Sequence, residues 1–137
     1  MVMDMDALCN HLDSLVGVKV AEVIIGNLEI REGREEAELF RRENPRANVE
    51  EIITLFIRYD ALTGVGITKI TFPKQTGNPI LVEIANPYVK KRTGSSKMLL
   101  FSWWCGVLST LLDRHLDIQS VIYDERSDVV RSMLVSR

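Results

Sequence analysis

Between Met98 and Leu112 the chain carries eleven large apolar residues, Cys105 included, and no charge. Only Ser102, Gly106, Ser109 and Thr110 interrupt the run. It falls short of the roughly 18 apolar residues that a membrane span needs, and it exceeds the usual strand of about five or six residues. A helix apolar nearly all round belongs in a protein interior. The pattern therefore predicts a buried central helix over Ser96 to His115. A serine of Gly94-Ser95-Ser96 serves as its N-cap, and Arg114 and His115 sit at the negative end of its dipole. Ser102, Gly106, Ser109 and Asp113 recur at spacings of three and four and form one narrow stripe. Leu100, Trp104, Val107, Leu108 and Leu111 lie largely on another face. The bulky side is expected against a sheet, and the small side is expected to admit a second helix. Core packing alone accounts for Trp103 and Trp104.

The same patterning orders the rest of the chain. Met5, Leu8, Leu12 and Leu15 have helical spacing over Asp4 to Val16, with Gly17 as a stop. Residues 18–30 read two ways, as helix or as short strands around a two-residue turn at Ile25-Gly26-Asn27-Leu28. Glu29 to Glu43 is helical, and Arg31–Glu35 and Glu38–Arg42 are placed to pair along a solvated face. Asn44-Pro45 ends it. Asn48-Val49-Glu50-Glu51 has the form of a capping box, opening a helix that buries Ile52, Ile53, Phe56 and Ile57 and stops at Gly64. Val65 to Phe72 and Pro79 to Tyr88 read as strands joined by a loop of turn residues. Asp117 to Asp124 and Val129 to Val135 form a second such pair. The order predicts an α+β fold: a four-stranded, mainly antiparallel sheet covered by helices, with the long buried helix between two hairpins. A helix of twenty residues spans about 30 Å, enough to lie along such a sheet.

Composition narrows the class. At 137 residues the chain is expected to form one domain over residues 1–137, and 46% hydrophobic with 26% charged residues is ordinary for a globular protein. A net charge of −2 and a pI near 5.7 argue against nucleic-acid binding, which leans on excess Lys and Arg. The first residues carry acids where a secretory leader has a basic and then an apolar region. Cys9 and Cys105 lie far apart in apolar helical settings, as free thiols of a cytoplasmic protein would.

Candidate chemistry is sparse. His11 and His115 stand in no metal-ligand spacing, and no CxxC is present. Asp113-Arg114-His115 reads as a polar helix end. Lys90-Lys91-Arg92 and Lys97 precede a helix start, which leaves an anion site as an alternative to a solvated loop. The spacing of glycine, lysine and hydroxyl there is not that of a P-loop. Nothing supports catalysis.

Assembled, residues 48 to about 135 resemble the 4-vinyl-reductase domain family, which shares its fold with the small subunits of the TRAPP vesicle-tethering complex. The resemblance rests on Ala85-Asn86-Pro87-Tyr88-Val89, Gly94-Ser95-Ser96, Trp104-Cys105-Gly106-Val107-Leu108 and Leu62-Thr63-Gly64-Val65-Gly66. It implies an α+β domain that often dimerises and that encloses a small apolar ligand in aromatic-sensing members. Some members hold a structural zinc, but the corresponding positions here carry Phe101, Ser120, Tyr123 and Arg131, so no metal is expected. Residues 41–48 lack the cysteine that carries an acyl chain in one TRAPP subunit. The family's second helix glycine is Thr110 here.

The resulting expectation is a cytoplasmic, non-enzymatic, cofactor-free homodimer joined through its helices. It binds a small hydrophobic molecule between the central helix, the middle helix and the sheet. The pocket candidates are Phe56, Tyr88, Phe101, Trp104, Cys105 and Leu108. The alternative is a TRAPP-like adaptor whose filled core holds nothing. A tetrapyrrole vinyl reductase rests on the family name alone, without a catalytic residue.

Overall fold

The computed structural model describes residues 5–75, 77–88 and 94–137. Three helices come first: α1 (Met5–Val16), α2 (Val18–Glu43) and α3 (Val49–Thr63). Strands β1 (Ile67–Thr71) and β2 (Ile80–Ala85) precede a 3-10 turn (Ser95–Lys97) that leads into α4 (Met98–Leu111). Strands β3 (Leu116–Asp124) and β4 (Val129–Ser136) complete the chain. The strand order is β1-β2-β4-β3, and each neighbouring pair is antiparallel. This is the expected α+β architecture of two hairpins around a buried helix. The hairpins join along β2 and β4, where Ile80 lies opposite Leu134 and Ile84 opposite Val130. With Val82, these four form the buried inner face.

The local signals explain most boundaries. Asn48 caps α3 by accepting from the Glu51 amide at 2.9 Å, and Gly64 ends the helix in the left-handed region at φ 81°. Along α3, Ile52, Ile53 and Phe56 are buried. Arg31 and Glu35 form the expected ion pair on an exposed face.

Two expectations are corrected. Residues 18–43 form one helix of 26 residues, about 39 Å long, and not a hairpin followed by a helix. The β-branched run before Gly26 favours strand locally, but burial of Ala21 and Ile25 overrides that preference. Gly26 is not a turn. A Cβ there would stand 3.4 Å from Met98 Cε and 3.5 Å from Ser102 Oγ, so it lies where α4 crosses. The central helix is also shorter than its apolar run, at 14 residues. Ser95 and Ser96 are buried in the 3-10 turn, and Lys97 precedes α4 without a side-chain cap. The chain leaves α4 through Asp113 at φ 52°, so Arg114 and His115 belong to the connection into β3.

Helix α4 is sandwiched between α2 and the sheet. Gly106 faces the Ile30 carbonyl and the Arg34 amide, while Gly33 of α2 faces the Trp103 carbonyl and the Val107 amide. The small stripe of α4 thus admits a second helix, as its spacing predicts.

Candidate ligand cavity

A cavity of about 280 Å³ opens where α2, α3 and the first turns of α4 meet. That volume is close to the lower end of small-molecule sites, about 300 Å³. Its α2 wall carries Glu29, Glu32 and Glu36, at spacings of three and four along one face. Helix α3 supplies Tyr59, Asp60 and Thr63, and α4 supplies Leu99, Leu100, Trp103 and Trp104. Val65 and Tyr88 close the side nearest the sheet.

Two indoles are fixed by carboxylates. Trp104 is 1% exposed, and its Nε1–H donates to Asp60 Oδ2 at 3.0 Å. Thr68 donates to the same oxygen from β1 at 3.2 Å. Trp103 donates from Nε1 to Glu36 Oε2 at 3.0 Å. The two indoles stand edge to face at 5.1 Å, and Phe56 meets Trp103 edge-on at 5.3 Å. Such pairs add to the stability of their burial by about 0.5–1.5 kcal/mol each.

The carboxyls here are harder to ionise than usual. Burial pushes Glu29 up to about 7, with Glu32 and Glu36 adding repulsion. Burial raises Glu36 and Asp60 as well, opposed by the hydrogen bonds from Trp103 and from Trp104 with Thr68. Tyr88 is pushed up to about 12, by burial first and then by the charge of Glu29. Removing a charged group from water disfavours its charged form.

The six pocket candidates separate in space. Trp104 and Tyr88 line the cavity. Phe56 supports the indoles and lines an open apolar groove of about 520 Å³ between α2 and α3, with Leu39, Leu55 and Leu62. Phe101 and Leu108 are fully buried in the core. Cys105 is buried too; its thiol, pushed up to about 11 by burial, donates to the Leu116 carbonyl at 3.2 Å.

Charge spacing alone does not single out the cavity's acids, because Glu29, Glu32 and Glu36 fall in a charged helical stretch that reads as solvated. Asp60 carried a usable signal: it follows Ile53 and Phe56 on the buried stripe of α3, where a carboxylate needs donors.

At the positions where the family resemblance implies zinc ligands, other interactions stand. Tyr123 Oη donates to Asp128 Oδ1 at 2.7 Å, and Arg131 bridges Glu83 at 2.9 Å and Asp124 at 3.3 Å. Among the described residues no group of three His, Cys, Asp or Glu is placed to hold a metal. Nor is any helix long and apolar enough to cross a membrane. Of the basic segment weighed as an anion site, Lys90, Lys91 and Arg92 lie outside the described residues, while Lys97 pairs with Glu22 at 3.2 Å.

No family model matches the chain, and no curated protein matches it in sequence. Among solved structures, the fold is similar to the phenol-responsive sensory domain of the transcription activator PoxR, crystallised with phenol. The TM-score is 0.71 at 11% identity, over 96% of this chain and 72% of that one. The likeness is one of fold.

Proposed function

We propose that this chain is a single, non-enzymatic domain of the 4-vinyl-reductase type, binding a small molecule in the cavity walled by Tyr59, Tyr88, Trp103 and Trp104. One observation carries the reading: a 280 Å³ cavity with preorganised aromatic walls lies in a fold shared with a phenol-responsive sensory domain. The indoles are held by Asp60 and Glu36 before any ligand arrives, which lowers the ordering cost of binding. In this reading the protein works in the cytoplasm as a helix-packed homodimer.

Trp103 and Trp104 are the chain's two tryptophans, so indole emission reports on the cavity alone. Titration with phenol and a panel of small aromatic compounds is expected to give a saturable change in emission. Thr63→Phe, at the exposed rim, should abolish it. Mass spectrometry of compounds extracted from the purified protein gives a second readout. An empty protein that answers to no compound would rule the reading out.

The second reading, a protein-interaction module, is favoured by exposed apolar side chains on α1 and α2, Leu15, Val20, Val23 and Leu28 among them. Exposed patches beyond a few hundred Å² mark partner surfaces. It predicts tight association and no small-molecule response.

A further inference from the structure

Resting on the ligand-binding reading, we propose that the preferred ligand of the α2–α3–α4 cavity is a small organic ammonium bearing an apolar group. The polar lining is dominated by carboxyl acceptors, beside the Tyr59 and Tyr88 hydroxyls. Glu29, Glu32, Glu36 and Asp60 face the cavity, and among its described lining residues none is Lys, Arg or His. The indole N–H donors are already committed to Glu36 and Asp60, and the Thr63 hydroxyl to the Tyr59 carbonyl at 2.8 Å. What the partly exposed Trp103 indole still offers a ligand is π-surface, which attracts cations.

Other ligand classes fare worse. A carboxylate or phosphate meets several acids and gains no cationic partner among the described lining residues. A neutral molecule displaces water from carboxylates that already ionise with difficulty, and adds to their desolvation cost. An ammonium group reverses that cost by supplying the missing counter-charge, while its apolar part covers Leu99, Leu100 and Val65. Among the described residues, the charges acting on Glu29 share its sign: Glu32 and Glu36 on its own helix, with Asp60 of α3 lining the same cavity. Tyr88 stands beside it, where Asp6 of α1 adds to the negative field.

The experiment compares 2-phenylethylammonium with 2-phenylethanol, which match in shape and differ in charge. Binding to the full chain is measured by calorimetry at pH 6 and pH 8. The ammonium is expected to bind at least about tenfold more tightly at pH 8, in line with a desolvated cation–π contact and opposite charge. Its preference should grow from pH 6 to pH 8 as Glu29, with a pKa of about 7, loses its proton. Glu29→Gln, at a half-buried site, should remove most of that pH dependence. Equal or tighter binding of the alcohol at pH 8 overturns the inference, though it upholds a small-molecule site. An unchanged Glu29→Gln overturns it too. If neither compound binds, the inference is overturned, while the ligand-binding reading still stands or falls on the aromatic panel and the extracted material.

Discussion

Asp60 of α3 holds the indole of Trp104 on α4 through a 3.0 Å hydrogen bond, although both side chains are almost completely buried. Thr68 of β1 donates to the same carboxylate oxygen, so one acid ties two helices and a strand together. Asp60→Ala would leave the indole N–H and the threonine hydroxyl without partners. Each orphaned buried group costs about 1–3 kcal/mol. Thermal unfolding should show a loss of several degrees for Asp60→Ala and a much smaller one for Asp60→Asn, whose amide oxygen still accepts. Equal losses in the two variants would mean that the hydrogen bonds contribute little.

The acid wall makes stability depend on pH. The folded-state pKa of Glu29, about 7, lies above its ordinary value of 4.5. The folded protein therefore holds this proton more tightly than the unfolded chain does. Its contribution is most favourable below pH 4.5 and is lost as pH rises through 7. Glu36 and Asp60 are raised in the same sense. Glu29→Gln should therefore melt higher than the parent at pH 8 and alike at pH 4. Solvent screening at this half-exposed site limits the gain to about 1 kcal/mol, or roughly 2–4 °C. A Glu29→Gln variant that gains nothing over the parent at pH 8 would contradict the assignment.

The crossing of α2 and α4 gives a sharper test. Alanine is the better helix former by about 1 kcal/mol, so at an open site Gly→Ala stabilises. At Gly33 and Gly106 the added Cβ would run into the backbone of the other helix. Backbone has little room to yield, and overpacking costs about 1–3 kcal/mol or more. Gly33→Ala and Gly106→Ala should each lower the melting temperature, and Gly106→Leu should do far more damage than Ser109→Ala. A melting temperature raised by either alanine would refute the close approach.

Much of this was legible beforehand, for identifiable reasons. Gly106 within an apolar helix announced a close neighbour, and the alternation of Ile80, Val82 and Ile84 fixed the inner face of β2. The partner helix was harder to read. Gly26, Gly33 and Ala37 share a buried stripe of α2, but Gly26 followed by Asn27 is also a strong turn signal, and single-sequence patterning does not separate the two. The end of α4 was missed because Leu112 continues the apolar run while Asp113 turns left-handed. The cavity was half legible. Trp104 and Tyr88 were in view, whereas Glu29, Glu32 and Glu36 look like a solvated stripe until α3 and α4 are placed against it. Phe101 and Leu108 pointed the other way, into the core, which depends on the rotation of α4.

Elemental analysis is expected to find no stoichiometric zinc. The argument is local: where the resemblance places ligands, Tyr123 bonds Asp128 and Arg131 spans Glu83 and Asp124. A guanidinium at that point repels a divalent cation. One zinc per chain would mean that another part of the molecule binds it.

The last expectation concerns assembly. Helices α1 and α2 leave Leu15 67%, Val20 51%, Val23 61% and Leu28 57% exposed. Val20 and Val23 are three apart on α2, and Ile24 and Leu28 continue along adjacent turns, so these side chains can form one face. A soluble monomer seldom carries an apolar patch beyond a few hundred Å². A two-fold axis buries the same patch on both copies at once, and charged residues are depleted at the core of such an interface. Light scattering at micromolar concentration should therefore give twice the mass of one chain. Val23→Glu should return it to one, because each copy would bury an unpaired carboxylate. Leu62→Glu, on the groove between α2 and α3, is the control and should leave the dimer intact. A monomeric parent protein would refute dimerisation altogether. Dissociation by Leu62→Glu and not by Val23→Glu would move the interface to that groove.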